Sequence, residues 1–267
     1  MATQDRFSKI VEAKLRSESI FAGLFNRRYE GTPTAGAVKI PVRAEATVGT
    51  YSIANGGDLA NPETTFATLN IDQDIYVNEL IDGYVAASVP DGLIADRLDS
   101  AGYAIADKID VTLASTAATK GTAFAPASTN TTTYAIITEA IQKLKKAKVK
   151  PSEMWLAVSN DYAFEVINDS NFIAASNLGD DVKQNGILGR ISGVNVYESC
   201  NLPDGVNFIL GNSVYCHYVD EWAVNVATKD LADGKHIGAA AVQGRKVYGT
   251  DVTKPATVLV YKTSSKG

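Results

Sequence analysis

The sequence predicts an α+β chain. Its first half reads as a helical arm, a long β-hairpin and a long helix, and its second half as an α/β unit closed by strands. Three observations carry this reading. Residues 37–48 and 66–79 alternate apolar and polar side chains, the period of a strand. Ile94, Leu98, Ala101, Ile105, Ile109 and Leu113 recur at steps of three and four, the period of a helix. From Met154 onward, short apolar runs alternate with one helical segment and with Gly and Asp-Gly turns.

The arm comes first. Phe7, Ile10, Val11 and Leu15 follow helical spacing, and Ile20, Phe21, Leu24 and Phe25 repeat it after Ser17 and Ser19, so two short helices are expected over residues 5–30. The arm carries six basic and four acidic residues within a chain whose formal net charge is −5. It is expected to pack either on its own body or on another subunit.

The hairpin follows. Val38, Ile40, Val42, Ala44, Ala46 and Val48 share one face, while Lys39, Pro41, Arg43, Glu45 and Thr47 share the other. Leu69, Ile71, Ile75 and Val77 line one face of the return strand. Asn55-Gly56-Gly57-Asp58 and Asn61-Pro62 supply the turn chemistry between them. A two-stranded ribbon buries too little to stand alone in water, so it must lie on something else. A neighbouring subunit is the natural candidate. Lys39, Arg43 and the tip residues Asn55, Gly56, Gly57 and Asp58 are therefore the expected inter-subunit contacts.

Pro90 fits the first position of the next helix, and Asp91 suits its positive end. The periodic stripe predicts a helix over about 90–116, roughly 40 Å at 1.5 Å per residue. Ile94, Leu98, Ile105, Ile109 and Leu113 are expected to form its core face. Residues 115–133 hold seven Thr and two Ser and read as an irregular connector. A second helix is expected from Thr133 to Lys148, with Ile137, Ile141 and Leu144 inward. Lys143, Lys145, Lys146, Lys148 and Lys150 crowd its end, where cations complement the helix dipole. The run reads as a solvated helix end or as a polyanion-binding patch.

Met154–Val158 reads as a buried strand, and Ser159-Asn160-Asp161 as the cap of a helix over 161–168. The segment from Asn171 to Asp181 reads as a loop. Strands are expected near 194–197, 206–210, 213–219, 222–227, 236–248 and 255–262, with Asp220-Glu221 as a turn between two of them.

The chemistry-bearing residues are few. Cys200, Cys216, His217 and His236 exclude a disulfide scaffold, a four-cysteine zinc site and a multi-histidine site. There is no G-x-S-x-G, H-E-x-x-H, C-x-x-C or phosphate loop, and Gly186, Gly189 and Gly193 have the wrong spacing for a dinucleotide fingerprint. Cys216 and His217 are adjacent on an expected strand and so face opposite ways, one to the core and one to the surface. The pairs Asp180-Asp181 and Asp220-Glu221 lack any motif that makes a general acid and base. No catalytic residue, metal or cofactor is expected. No apolar run approaches the ~20 residues of a membrane span. The start lacks a signal-peptide layout, so the cytoplasm is the expected compartment. The acidic balance argues against a tight nucleic-acid binder.

This order of elements resembles the major capsid proteins of tailed bacteriophages, with the Hong Kong 97-type fold. The resemblance rests on the helix from Pro90-Asp91-Gly92-Leu93 to Ile109-Asp110, on Trp155-Leu156-Ala157-Val158-Ser159-Asn160-Asp161-Tyr162, and on Gly186 to Ser199 with Leu202-Pro203. It covers nearly the whole chain. It implies an N-terminal arm (1–36), an extended loop (37–82), a peripheral domain with a spine helix (83–118 and 214–251) and an axial domain (119–213 and 252–267). It implies a structural protein that assembles in the host cytoplasm into pentamers and hexamers of an icosahedral virion head around double-stranded DNA. DNA would be enclosed without sequence-specific binding. A portal and a separate scaffolding protein are implied partners, since about 36 residues before the hairpin are too few for a fused scaffold.

Some members of that family weld their shells through a lysine near the loop tip. Residues 48–65 contain no lysine here, so covalent crosslinks are not expected. Two other readings share parts of the pattern: an encapsulin-like nanocompartment shell around cargo enzymes, and a soluble α/β enzyme.

Overall fold

A computed structural model describes residues 16–17, 19–28, 36–43, 45–59, 63–84, 93–169, 187–231 and 235–262. The Pro90-Asp91 helix start, the arm before residue 16, the loop from Asn171 to Asp181 and the pair Asp180-Asp181 lie outside the described residues. The class is α+β. The chain builds a hairpin, a three-stranded sheet under a long helix, and a six-stranded sheet.

The hairpin stem pairs β1 (Ala37–Arg43) with β2 (Thr64–Asn70), seven residues on each side. It is shorter than the alternation implied. The apolar period continues through Ile71, but the chain changes sheets there. The next strand, β3 (Gln73–Ile81), pairs antiparallel with β10 (Ala240–Val252) instead of with β1. Residues 73–81, expected as hairpin, therefore belong to the three-stranded sheet. The crossing is close: a Cβ at Gly249 would meet the Asn70 carbonyl oxygen at 2.5 Å. Alternation alone cannot mark this switch, because both sheets bury every second residue.

The order of the three-stranded sheet is β3-β10-β9, with β9 spanning Cys216–Asp230. The two strands expected over 213–227 are one, and Asp220-Glu221 lies in its middle rather than in a turn. Trp222 faces Val247 and Asp220 faces Tyr248, so Glu221 is an extra residue bulged out of the ladder. A bulge disturbs the polar–apolar period much as a turn does.

The long helix, α2 (Leu93–Lys120), runs four residues beyond its expected end. Two of its threonines are satisfied internally: Thr112 Oγ1 donates to Lys108 O at 2.8 Å and Thr116 Oγ1 to Thr112 O at 2.9 Å. Ala114, Ala117 and Ala118 are buried, so packing outweighs the weak local propensity. A three-residue strand, β4 (Thr122–Phe124), then starts within the segment read as an irregular connector.

The apolar stripe of α2 is not uniformly core. Ile109 and Leu113 are buried, Leu98 and Ile105 half-buried, and Ile94 is 41% exposed. At about 100° per residue, the spacing from Ile94 to Leu113 winds about 100° around the helix. One end therefore faces the three-stranded sheet, where Leu98 and Ala101 meet Ile81 and Val242. The other end faces Phe21, Val258 and Val260. Ile94 falls outside both clusters.

The six-stranded sheet has the order β4-β11-β8-β5-β7-β6. It comprises β5 (Met154–Val158), β6 (Ile187–Ile191), β7 (Val194–Glu198), β8 (Val206–Asn212) and β11 (Leu259–Lys262) with β4. One face carries α3 (Thr133–Lys146), capped by Thr132, and α4 (Asn160–Asn168), capped by Ser159. Ile137, Ile141 and Leu144 of α3 are buried against this sheet, as their spacing requires.

The other face presents Trp155, which lies across the backbone of Gly211 on the neighbouring strand. A Cβ at Gly211 would overlap the indole ring. Gly211→Ala is expected to lower stability by about 2 kcal/mol or more through overpacking, read as a drop in thermal midpoint. An unchanged midpoint would show that the Trp155 ring relocates freely.

Candidate functional site

Cys216, His217 and Asp220, which invite an enzymatic reading, have structural roles. Cys216 and His217 are both buried, so the expected surface member of that pair does not exist. The arm pairs along the outer edge of β9 there. Asn26 forms a parallel bridge with His217, its N–H donating to Cys216 O at 2.7 Å and its carbonyl accepting from Tyr218 N at 3.0 Å. His217 Nε2 lies 3.1 Å from Thr253 Oγ1. Burial pushes the Cys216 thiol up to about 12, the wrong direction for a nucleophile. Burial also lowers the His217 pKa, with Asp251 opposing.

Asp220 pairs with Arg27 at 2.7 Å and with Lys246 at 3.1 Å, a tie between the arm and the sheet. An open concavity lies on the outer face of the three-stranded sheet, lined by Asp74, Tyr76, Asn78, Lys229 and Arg245 among others. Its carboxylate is spoken for: Asp74 accepts from the Arg245 guanidinium, which holds the Asp74 carboxyl below its usual range. Among the described residues no group of His, Cys, Asp or Glu could hold a metal, and no helix is long and apolar enough to cross a membrane.

What the geometry does assemble is a joint. The arm runs along α2 from residue 16 to the short helix α1 (Phe21–Leu24). Arg16 pairs with Asp99 and its guanidinium sits 5.1 Å from the Tyr103 ring. Ser17 N donates to Tyr103 Oη at 2.7 Å, and Ser17 Oγ donates to Asp107 at 3.1 Å. Asp110, fully buried, accepts from Ser19 Oγ at 2.9 Å and from Phe21 N at 2.7 Å. Asn201, on the loop after β7, donates to both Asp107 and Asp110 at 3.0 and 3.1 Å. Phe21 then meets Trp155 edge-to-face and Phe25 lies tilted against it, with ring centroids 5.7 and 6.1 Å away. The arm thus fastens the long helix to the six-stranded sheet. Sequence reasoning missed this joint. Its only trace is Asp99, Tyr103, Asp107 and Asp110 at helical spacing on one side of the apolar stripe.

The hairpin is the second feature. The base of its stem packs on the body, where Ile40 and Leu69 meet Val219. Lys39 is exposed opposite Thr68, and Arg43 pairs through its backbone with Thr64. The tip is closed by a small turn in which Ser52 and Gly56 exchange backbone hydrogen bonds of 3.2 and 2.8 Å. Gly56 holds φ +71, a conformation that favours glycine. Asn55, Gly57 and Asp58 are exposed beside it. Val48, Ile53 and Leu59 are at least 97% exposed, and Tyr51 is 74% exposed. The tip is richer in apolar side chains than its Gly, Asn and Asp content suggests.

The phage capsid protein family matches residues 84–261. The chain belongs to that family. It is a structural capsid protein, not an enzyme, and its place is the capsid of a virion. Solved phage structures share its fold almost end to end. A structure of Mycobacterium phage Che8 is 24% identical and covers 97% of this chain and 96% of its own, with a TM-score of 0.80. The capsid structure of Cyanophage P-SCSP1u is 12% identical, covering 97% and 92%, with a TM-score of 0.75. The mature capsid of bacteriophage PhiM1 is 13% identical, covering 100% and 93%, with a TM-score of 0.75. No curated protein sequence matches this capsid protein.

Two outcomes test the joint. Asp110→Ala leaves the buried Phe21 N–H without its acceptor and removes two further hydrogen bonds, and is expected to cost about 2 kcal/mol. It should also expose the arm, so limited proteolysis near Arg16 should quicken while the core strands stay protected. His217 supplies a pH dependence. Its folded pKa lies below the ordinary value, so the unfolded chain binds the proton more readily once pH falls below about 6.5. Stability is therefore expected to decline as pH drops through that range, and a thermal-midpoint profile of His217→Gln should be flatter there. Parallel profiles would assign the decline to other groups.

Proposed function

We propose that this capsid protein is the major shell subunit, assembling into the pentamers and hexamers of an icosahedral head around double-stranded DNA. The observation that carries the proposal is the hairpin. It projects a tip with four large apolar side chains in water, and a lone subunit gains nothing from that exposure. Contact with a neighbouring copy removes it.

On this reading Asn55, Gly56, Gly57 and Asp58 touch the neighbour, and Lys39 and Arg43 on the polar face of the stem pair with its acids. Each exposed pair adds only about 0–1 kcal/mol, but a shell repeats it in every subunit. The arm covers 1–36 and the extended loop 37–82, with strand 73–81 rooted in the peripheral sheet. The peripheral domain comprises 83–118 and 214–251, and the axial domain 119–213 and 252–267. Assembly takes place in the host cytoplasm with a separate scaffolding protein and a portal. The tip carries no lysine, so the shell is held without covalent crosslinks.

Electron microscopy of the purified protein, alone and with its scaffold, tests the reading. Closed shells are expected, and particles filled with protein cargo instead of DNA would favour the nanocompartment. Deleting residues 52–63 should leave the circular dichroism near wild type while particle yield collapses. Normal yield, or lost secondary structure, contradicts the role given to the tip. Shells boiled in detergent without reductant should run as single 28.3 kDa chains, and a ladder persisting with reductant would overturn the non-covalent reading.

A further inference from the structure

One strongly charged feature is used by neither the joint nor the hairpin. Lys143, Lys145, Lys146, Lys148 and Lys150 are all exposed at the end of α3. Among the described residues, only Lys150 forms an ion pair with a carboxylate, reaching Glu153 at 3.7 Å. Lys145 Nζ donates to Ser192 O at 3.1 Å, and Lys143 lies 5.5 Å from the Phe124 ring; neither partner carries a negative charge. A helix dipole is complemented by one or two cations within its last turn. Here Lys143 and Lys146 stand three residues apart on the helix, where like charges repel.

The backbone adds an independent observation. Lys148 has φ +63. It occupies the position just beyond the helix, where Lys148 N donates to Lys145 O at 2.9 Å and Val149 N to Leu144 O at 3.1 Å. Glycine favours that position, because a Cβ is strained there. The turn buries Val149 beside Leu144 and leaves Lys148 in solvent.

We infer that this lysine cluster is a binding site for the phosphate backbone of double-stranded DNA. The inference rests on the reading of the protein as a shell around DNA. Four ammonium groups within six residues, none ion-paired among the described residues, make a local field opposite in sign to the net charge of −5. Lysines are point charges suited to sequence-independent phosphate contact, and the solvent-facing residues beside them, Gln142 and Ala147, offer no apolar slot for a peptide side chain. Contact with about four phosphates is weak and salt-sensitive, which suits a shell that must also release its genome.

Fluorescence anisotropy with the full-length protein and a labelled duplex of about 30 base pairs tests the site. Four contacts predict a loss of affinity of roughly 100-fold between 50 and 200 mM salt. The variant K143Q/K145Q/K146Q/K148G should lose most of the low-salt affinity and most of the salt slope. Lys148→Gly alone should raise the thermal midpoint while weakening DNA binding several-fold, which a purely structural helix end does not predict. Unchanged affinity in both variants overturns the site. So does poly-glutamate binding as tightly as DNA with the same lysine dependence, which would assign the patch to an acidic polypeptide. Microscopy of the same variants separates the two readings: shells without lysine-dependent DNA binding defeat only this inference, whereas absence of shells from the wild type defeats the proposed function.

Discussion

Asp110 buries a carboxyl group inside the subunit, where it is tolerable because two separate segments supply it with donors. The arm gives a hydroxyl and a backbone N–H, and the loop after β7 gives the Asn201 amide. Those three donors come from segments far apart in sequence, so the long helix, the arm and the six-stranded sheet are fixed in one arrangement. The apolar part of the joint, Phe21 and Phe25 on Trp155, depends on that alignment and on the absence of a side chain at Gly211. Hydrogen bonds set the geometry, and aromatic burial supplies most of the stabilisation.

Around this joint, the molecule divides its apolar surface unequally. The six-stranded sheet is covered on both faces by its own chain. The hairpin is covered only at its base, and its tip displays apolar side chains to water. That asymmetry suits a subunit whose stability is its own but whose final packing is completed by copies of itself. The ion pairs are distributed accordingly. Arg27–Asp220 and Lys120–Asp251 tie elements within the subunit, while Lys39 remains on the exposed face of the hairpin stem.

Much of the fold was legible in the residues. The spacing of Ile137, Ile141 and Leu144 located α3, Ser159 marked the start of α4, and Met154–Val158 read as a buried strand. The joint was not legible. Asp107 and Asp110 look like solvent-facing residues of an amphipathic helix until the arm is laid over them. His217 was misread because alternation along β9 puts it opposite Cys216, yet its side is covered as well, with Thr253 Oγ1 3.1 Å from its Nε2.

The sequence by itself determined what depends on neighbours a few residues away. Helical and strand periods, caps, the glycine turn at Gly56 and the absence of a tip lysine are all local. Tertiary structure decided what depends on residues far along the chain. Residues 73–81 leave the hairpin to pair with 240–248, Glu221 bulges instead of turning, α2 continues through its threonines, and its apolar stripe winds between two different partners. The physical reason is the same in each case. A side chain's period states that one face will be covered, while the identity of the cover is set by long-range burial that no short window of sequence contains.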